Sequence, residues 1–282
     1  MSSSTADPFS AARPLAGLSG VVTGASGGIG RQIAVTLAAS GMASLVVHHA
    51  TNQAAAQRTL AAVLDTGCHA ISLQADCGST TECLRLVDAA FAAIGTPDVW
   101  VHAAGADVLT GSAAQGGFED KLRRLIDVDL LGSITISRTL ASRWAEPVPD
   151  ENRPAPSLIL FGWDQAKHGM EGDAGQMFGP VKAGVEAFAK SLAQSVAPRI
   201  RVNTVSPGWI RTAWGESTSD YWNRRAESQA LMARWGTPKD VAAAVLFLAS
   251  PTSAFITGQT IEINGGFSRR WYPPPPAVEG PT

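Results

Sequence analysis

Cysteine is scarce in this chain. Cys68, Cys77 and Cys83 are the only three in 282 residues, an odd number without C-x-x-C spacing. That argues against a disulfide framework and a cysteine-based metal site, and it fits reduced thiols in the cytosol. No metal ligand set is expected. A basic excess is also missing. Lys and Arg number 22 against 24 Asp and Glu, a net charge of −2 with no basic block, so nucleic acid is not an expected partner. Long apolar runs are absent too. The longest clearly apolar stretch, residues 241–249, is far too short to span a bilayer, so no membrane partner is expected. Residues 1–7 are polar and lack the apolar core of a secretion signal. Together these absences point to a cytoplasmic protein.

What the chain does have is material for one large core, with 45% of residues hydrophobic. Near-continuous apolar runs predict strands at residues 18–23, 44–48, 69–74, 99–103, 157–161, 201–205 and 260–263. Such runs suit strands buried on both faces. Helical patterns fall between them, at residues 30–40, 52–66, 80–94, 119–144, 179–196 and 239–249. The alternation predicts one α/β domain over residues 15–268, a single doubly wound parallel sheet in three layers. Residues 1–14, rich in Ser and Ala, and residues 269–282, with Pro273–Pro276, read as disordered tails. The Pro-rich residues 146–156 read as a surface loop.

The first strand runs straight into Thr23-Gly24-Ala25-Ser26-Gly27-Gly28-Ile29-Gly30 and then into a helix. This spacing suits a pyrophosphate. Gly24 permits a tight turn, Gly28 lets backbone approach the phosphates, and Gly30 lets the helix pack close to the strand. A second apolar strand, Leu45-Val46-Val47, follows at the distance a strand–helix–strand dinucleotide unit requires.

The arrangement resembles the short-chain dehydrogenase/reductase family, with its Rossmann-like fold, over about residues 15 to 267. Besides the glycine turn, the family's acidic residue after the third strand is matched by Asp76, and its N-A-A-G by His102-Ala103-Ala104-Gly105. Its V-N-x-V-x-P-G is Val202 to Gly208, and its closing T-G-Q-x-I-x-x-x-G-G is Thr257 to Gly266. The resemblance implies an NADP or NAD cofactor held first by Gly24, Ser26, Gly28, Ile29 and Gly30. Further along it implies contacts from His49, Asp76, Ala103, Ala104 and Gly105, and then from Lys182, Pro207, Gly208 and Thr212. NAD-preferring members carry Asp at the end of the second strand, where this chain has His49. The missing carboxylate removes repulsion against a 2′-phosphate, and His49, Thr51 and Asn52 can supply donors, so NADP is the expected preference. Members usually assemble as dimers or tetramers, so a homotetramer or homodimer is expected.

The catalytic set departs from the family. Its Y-x-x-x-K reads Phe178-Gly179-Pro180-Val181-Lys182, so the lysine remains and the phenol is gone. Phe cannot donate the proton that carbonyl reduction needs. The usual Asn is Asp129, and the serine slot falls on Trp163 by strand phase or Gln165 by spacing. Lys182 is expected to hold the nicotinamide ribose. Asp164 and Asp129 are the candidate replacement carboxylates, Asp164 first, because open α/β sheets place ligands at the carboxyl ends of strands. Asp164 has a bland alternative as an exposed carboxylate or a partner of Lys167, and Asp129 is open to a link with Lys182. His168 reads as a solvated loop residue and His102 as a packing residue. Residues 209–235 read as a substrate lid, with Trp209, Trp214, Tyr221, Trp222 and Trp235 either facing a small-molecule substrate or packing the lid down. Three functions remain open. One is an oxidoreductase whose substrate, such as an iminium, needs no phenol. The others are a non-redox dinucleotide-binding scaffold, and a cyclase or lyase using the same pocket.

Overall fold

Seven strands lie parallel in the order β3-β2-β1-β4-β5-β6-β7 in the computed structural model, which describes residues 13–145, 154–216 and 218–267. In chain order they are β1 (Ser19–Thr23), β2 (Ser44–His49), β3 (His69–Gln74), β4 (Val99–His102), β5 (Ser157–Phe161), β6 (Arg201–Pro207) and β7 (Thr260–Ile263). The reversal between β1 and β4 opens a crevice at the carboxyl ends of the strands, where doubly wound sheets bind ligands. β1, β4 and β6 are buried along their whole length, and two polar side chains of β6, Arg201 and Asn203, donate to carbonyls of Leu248, Ser253 and Ile256.

Helices cover both faces. α1 (Gly28–Ala39), α2 (Gln53–Leu64) and α10 (Pro238–Ala249) border one core, with Ile33, Leu37, Val47 and Val245 fully buried. α3 (Thr80–Ile94), α5 (Gly132–Trp144) and α7 (Gly172–Val196) border the other, around Trp100, Leu86, Ile136 and Val185. α10 starts where the sequence stops it from starting earlier. Thr237 and Asp240 form a reciprocal capping box and Pro238 takes the first turn, where its missing N–H costs nothing.

Two helices differ from the sequence expectation. The helix expected over residues 119–144 is α4 (Phe118–Leu125), a π-helical segment Ile126–Leu131, and α5. The wider turn rotates Asp129 inward, where its carboxylate finds partners that a regular helix would not bring to it. The helix expected from residue 179 begins seven residues earlier, at Gly172, and carries Pro180 inside it. Packing outweighs the lost hydrogen bond, since Met177 and Val181 are buried with Val108 and Leu125 in a third small cluster that Phe178 joins. Short helices within the expected lid, α8 (Ala213–Glu216) and α9 (Asp220–Gln229), had no periodic signal; α6 (Gln165–His168) is a single turn after β5. Most of both expected tails and residues 146–153 of the Pro-rich loop lie outside the described residues. Arg13 and Pro14, assigned to the first tail, are described, and the Arg13 carbonyl accepts from Ala16.

Candidate active site

The glycine turn is shaped by contact. A Cβ on Gly30 would stand 2.2 Å from the Gly24 carbonyl oxygen, and one on Gly24 (φ +66°) would stand 2.6 Å from the Ala103 carbonyl oxygen. Side chains at these positions would push α1 and the β4 end away from β1. Gly28 is different: beyond it is open space as far as Thr212, whose methyl would lie 3.6 Å from an added Cβ. The fold thus brings Gly28 opposite Thr212, beside a cleft of about 340 Å³ whose walls include Arg31 and Arg211. Backbone at a helix N-terminus with two guanidinium groups alongside fits an anionic pyrophosphate.

Two histidines brace this turn. His48 is buried. Its Nδ1 accepts the Gly24 N–H at 3.2 Å and its Nε2 donates to the Ala75 carbonyl at 3.0 Å. Burial pushes its pKa down to about 4, so the neutral ring that this pattern requires persists. Sequence reasoning passed over His48; the period of two along β2, which sends neighbours to opposite faces, was the available signal. His102 is buried as well, its Nδ1 3.0 Å from Thr23 Oγ1, which also accepts the Ala104 N–H at 3.0 Å. Burial lowers its pKa to about 3. The expected cofactor residue His49 turns into the sheet, 5% exposed, with Nδ1 3.2 Å from Ser72 Oγ. Thr51 and Asn52 are the exposed polar residues there, and the Asn52 side chain caps α2. Asp76 forms a two-point contact with Arg124 at 2.9 and 3.2 Å, which holds its carboxyl below the usual range, and it accepts the Gly78 N–H. Arg124 gave no sequence signal, being 48 residues away.

The reactive end has an ion pair at its centre. Lys182 Nζ lies 2.8 Å from Asp129 Oδ2, and the ammonium donates to the Phe161 carbonyl at 3.3 Å. The Asp129 side chain is 2% exposed and that of Lys182 13%. The other carboxylate oxygen accepts the Ala106 N–H at 2.8 Å. Gly105 leaves room for it, since a Cβ there would stand 3.0 Å from Asp129 Oδ2. Phe178, four residues before Lys182 on α7, meets the Trp163 ring edge to face at 6.1 Å. Gln165, the position that spacing gives for the serine slot, is buried in α6.

Asp164 stands elsewhere. It is 2% exposed, its backbone N–H donates to the Pro207 carbonyl, and a Cβ on Gly208 would come 2.8 Å from its Oδ2. Burial raises its pKa to about 7, with Glu262 adding to the rise. Neither bland reading holds: it is not exposed, and Lys167 pairs with Glu262 at 2.9 Å. The structure brings Asp129 to Lys182 and places Asp164 in a different cleft, lined by α7 and β7 residues. His168 is not simply solvated, since it stacks on Phe267 at 4.3 Å with Nε2 3.5 Å from Glu262. In the lid, Trp209 packs on Trp222 and Trp235 at 5.6 and 6.0 Å. Arg225 lies over the Trp209 and Trp222 rings and grips Glu171 at 2.5 and 2.9 Å, tying α9 to the start of α7.

Known proteins resemble this chain over most of its length. A family model described as enoyl-(acyl carrier protein) reductase matches residues 24–268. A 3-oxoacyl-[acyl-carrier-protein] reductase of Synechocystis is 33% identical, the match covering 87% of this chain and 95% of that protein. The 3beta-hydroxysteroid dehydrogenase 1 of Eggerthella lenta is 32% identical over 90% and 95%. Among solved structures, a short chain dehydrogenase from Burkholderia cenocepacia in complex with NADP superposes with a TM-score of 0.79 at 27% identity, covering 90% of this chain and 98% of that one. The chain belongs to the short-chain dehydrogenase/reductase family of oxidoreductases. Among the described residues, no helix is long and apolar enough to cross a membrane.

Proposed function

We propose that this protein is an NAD(P)H-dependent reductase whose substrate accepts hydride without a phenolic proton donor, with a cationic carbon–nitrogen double bond as the fitting class. The observation that carries this reading is the edge-to-face Phe178–Trp163 pair standing beside an intact Lys182. A carbonyl receiving hydride becomes an alkoxide and needs a proton or strong polarisation at oxygen. An iminium carbon already carries positive charge, and hydride completes its reduction. Two of the relatives named above are a 3-oxoacyl reductase and a hydroxysteroid dehydrogenase, and Phe178 cannot supply the proton that reduction of an oxo group needs.

The residues present fit a dinucleotide. The glycine turn and helix N-terminus face the pyrophosphate, Lys182 holds the nicotinamide ribose, and Asp129 fixes the ammonium in place. The Pro207–Gly208 turn and Thr212 close the site from the β6 side. When bound, the reduced nicotinamide supplies the hydride. NADP is the preferred form, supported by the missing carboxylate at the β2 end and by the exposed Thr51 and Asn52 there. Free, buried thiols at Cys68, Cys77 and Cys83 suit the reducing cytoplasm.

The test is NADPH oxidation followed at 340 nm, with matched cyclic imines and ketones as substrates. Turnover of the imine with little or none of the ketone is expected. Phe178→Tyr is not expected to restore ketone reduction, because Trp163 still fills the serine slot. Ketone turnover by the unmodified chain would refute the reading, and nucleotide binding with no turnover of either would favour a dinucleotide-binding scaffold.

A further inference from the structure

A second cleft, of about 410 Å³, opens between α7 and the edge strand β7. Its walls include Trp163, Asp164, Glu186, Lys190, Thr260 and Glu262. The glycine turn, Lys182, Asp129 and Phe178 are not among its lining residues. Two of its oxygens are buried without a hydrogen-bond partner among the described residues, Asp164 Oδ1 and Thr260 Oγ1. An unsatisfied carboxyl oxygen in a residue only 2% exposed is costly, and a ligand that donates to it would recover that cost.

The charges around the cleft set the sign of that ligand. On α6, Lys167 is committed to Glu262, which also faces His168. On α7, Glu186 accepts from Ser206 Oγ at 2.7 Å and from the Trp163 N–H, but no ion pair joins it to a cation among the described residues. Lys190, one turn further along α7, is exposed. Asp164 and Glu186 thus stand against one lysine, and the Trp163 indole supplies an aromatic surface in the same wall. We propose that this cleft is a binding site for a small organic ammonium ion, its N–H groups donated to Asp164 and Thr260 and its apolar body laid against Trp163. The cleft shares Trp163 with the hydride-transfer reading but is lined by none of the residues assigned to the nucleotide, so amine binding is measured without nucleotide or turnover. Binding should tighten from pH 6 to pH 8, because an ammonium ion pairs with the ionised form of Asp164 and the ordinary cation partners on α6 are already engaged.

The experiment is titration calorimetry on the full chain without nucleotide, with benzylammonium chloride, benzyl alcohol and sodium benzoate as probes. Saturable binding of benzylammonium alone is expected, weakened roughly tenfold or more by Asp164→Asn, the scale of one charge-assisted hydrogen bond. Thr260→Arg is the second variant. It sits on an edge strand, brings the protein's own cation into the cleft, and should abolish binding. Added NADPH should leave the amine affinity unchanged, which separates this site from the reaction centre. No saturation by about 10 mM amine, preference for benzoate, or equal affinity in both variants would overturn the proposal.

Discussion

Asp164 shows how a single buried oxygen makes stability depend on pH. Its proton is held up to about pH 7 in the folded chain, against 3.8 for the ordinary carboxyl, because burial penalises the charge. The folded state therefore binds more protons than the unfolded state between these values. Stability is full below about pH 4 and declines as pH rises through 7. The decline is on the order of 4 kcal/mol for a shift of this size. Asp164→Asn removes it. The melting temperature of that variant relative to the parent should climb between pH 5 and pH 8 by roughly 5 °C, as read by calorimetric scans at both values. A flat difference would mean that the carboxyl ionises freely. Asp129 is held by a partner instead, since Lys182 lies 2.8 Å away and both side chains are buried. Asp129→Asn strands the ammonium, and a loss of about 3 kcal/mol in urea unfolding is expected, with weaker NADPH binding. Unchanged stability and nucleotide affinity would show that the Phe161 carbonyl alone suffices for Lys182.

At the scale of elements, the strand–turn–helix unit from β1 to α1 brings the Gly28 backbone to the cleft beside Arg31 of α1. Gly24 and Gly30 are there because no Cβ fits, while Gly28 is there because the space beyond it is needed. Gly28→Asp tests that difference. It should leave the far-ultraviolet circular dichroism unchanged apart from the modest strain of a side chain at φ +53°, and it should weaken NADPH binding about a hundredfold or more by putting charge against the pyrophosphate. Unaltered affinity would remove the turn from the nucleotide site. The π-helical turn between α4 and α5 does comparable work, since its extra residue delivers Asp129 to Ala106 and Lys182.

For the whole molecule, apolar side chains left in water are the main unexplained surface. Phe118 and Leu131 are exposed along α4 and the π turn, Phe247 on α10, and Phe255 fully just beyond it. Large exposed apolar groups on several helices suit burial against further copies of the chain. A homodimer or homotetramer is the expected state, and light scattering at micromolar concentration should show it. A monomer there would refute the expectation.

The sequence by itself determined the α/β alternation, the seven strands and the glycine turn, because these depend on local periodicity and on residues adjacent in the chain. It also marked Phe178 and Asp129 as the expected replacements for the usual groups, since a fixed spacing needs no coordinates. Only the tertiary structure decided what those replacements touch. Asp129 meets a lysine 53 positions away through a wider helical turn that no hydrophobic pattern announces. His49 turns into the sheet while His48 becomes the brace, because which side of a strand end faces a neighbour depends on how β3 pairs with it. Asp164, next to the expected serine slot along the chain, faces the α7–β7 cleft instead, because α6 turns its peptide onto the Pro207 carbonyl. Contacts between distant segments are set by packing of the whole sheet, and packing is information that no single stretch of sequence carries.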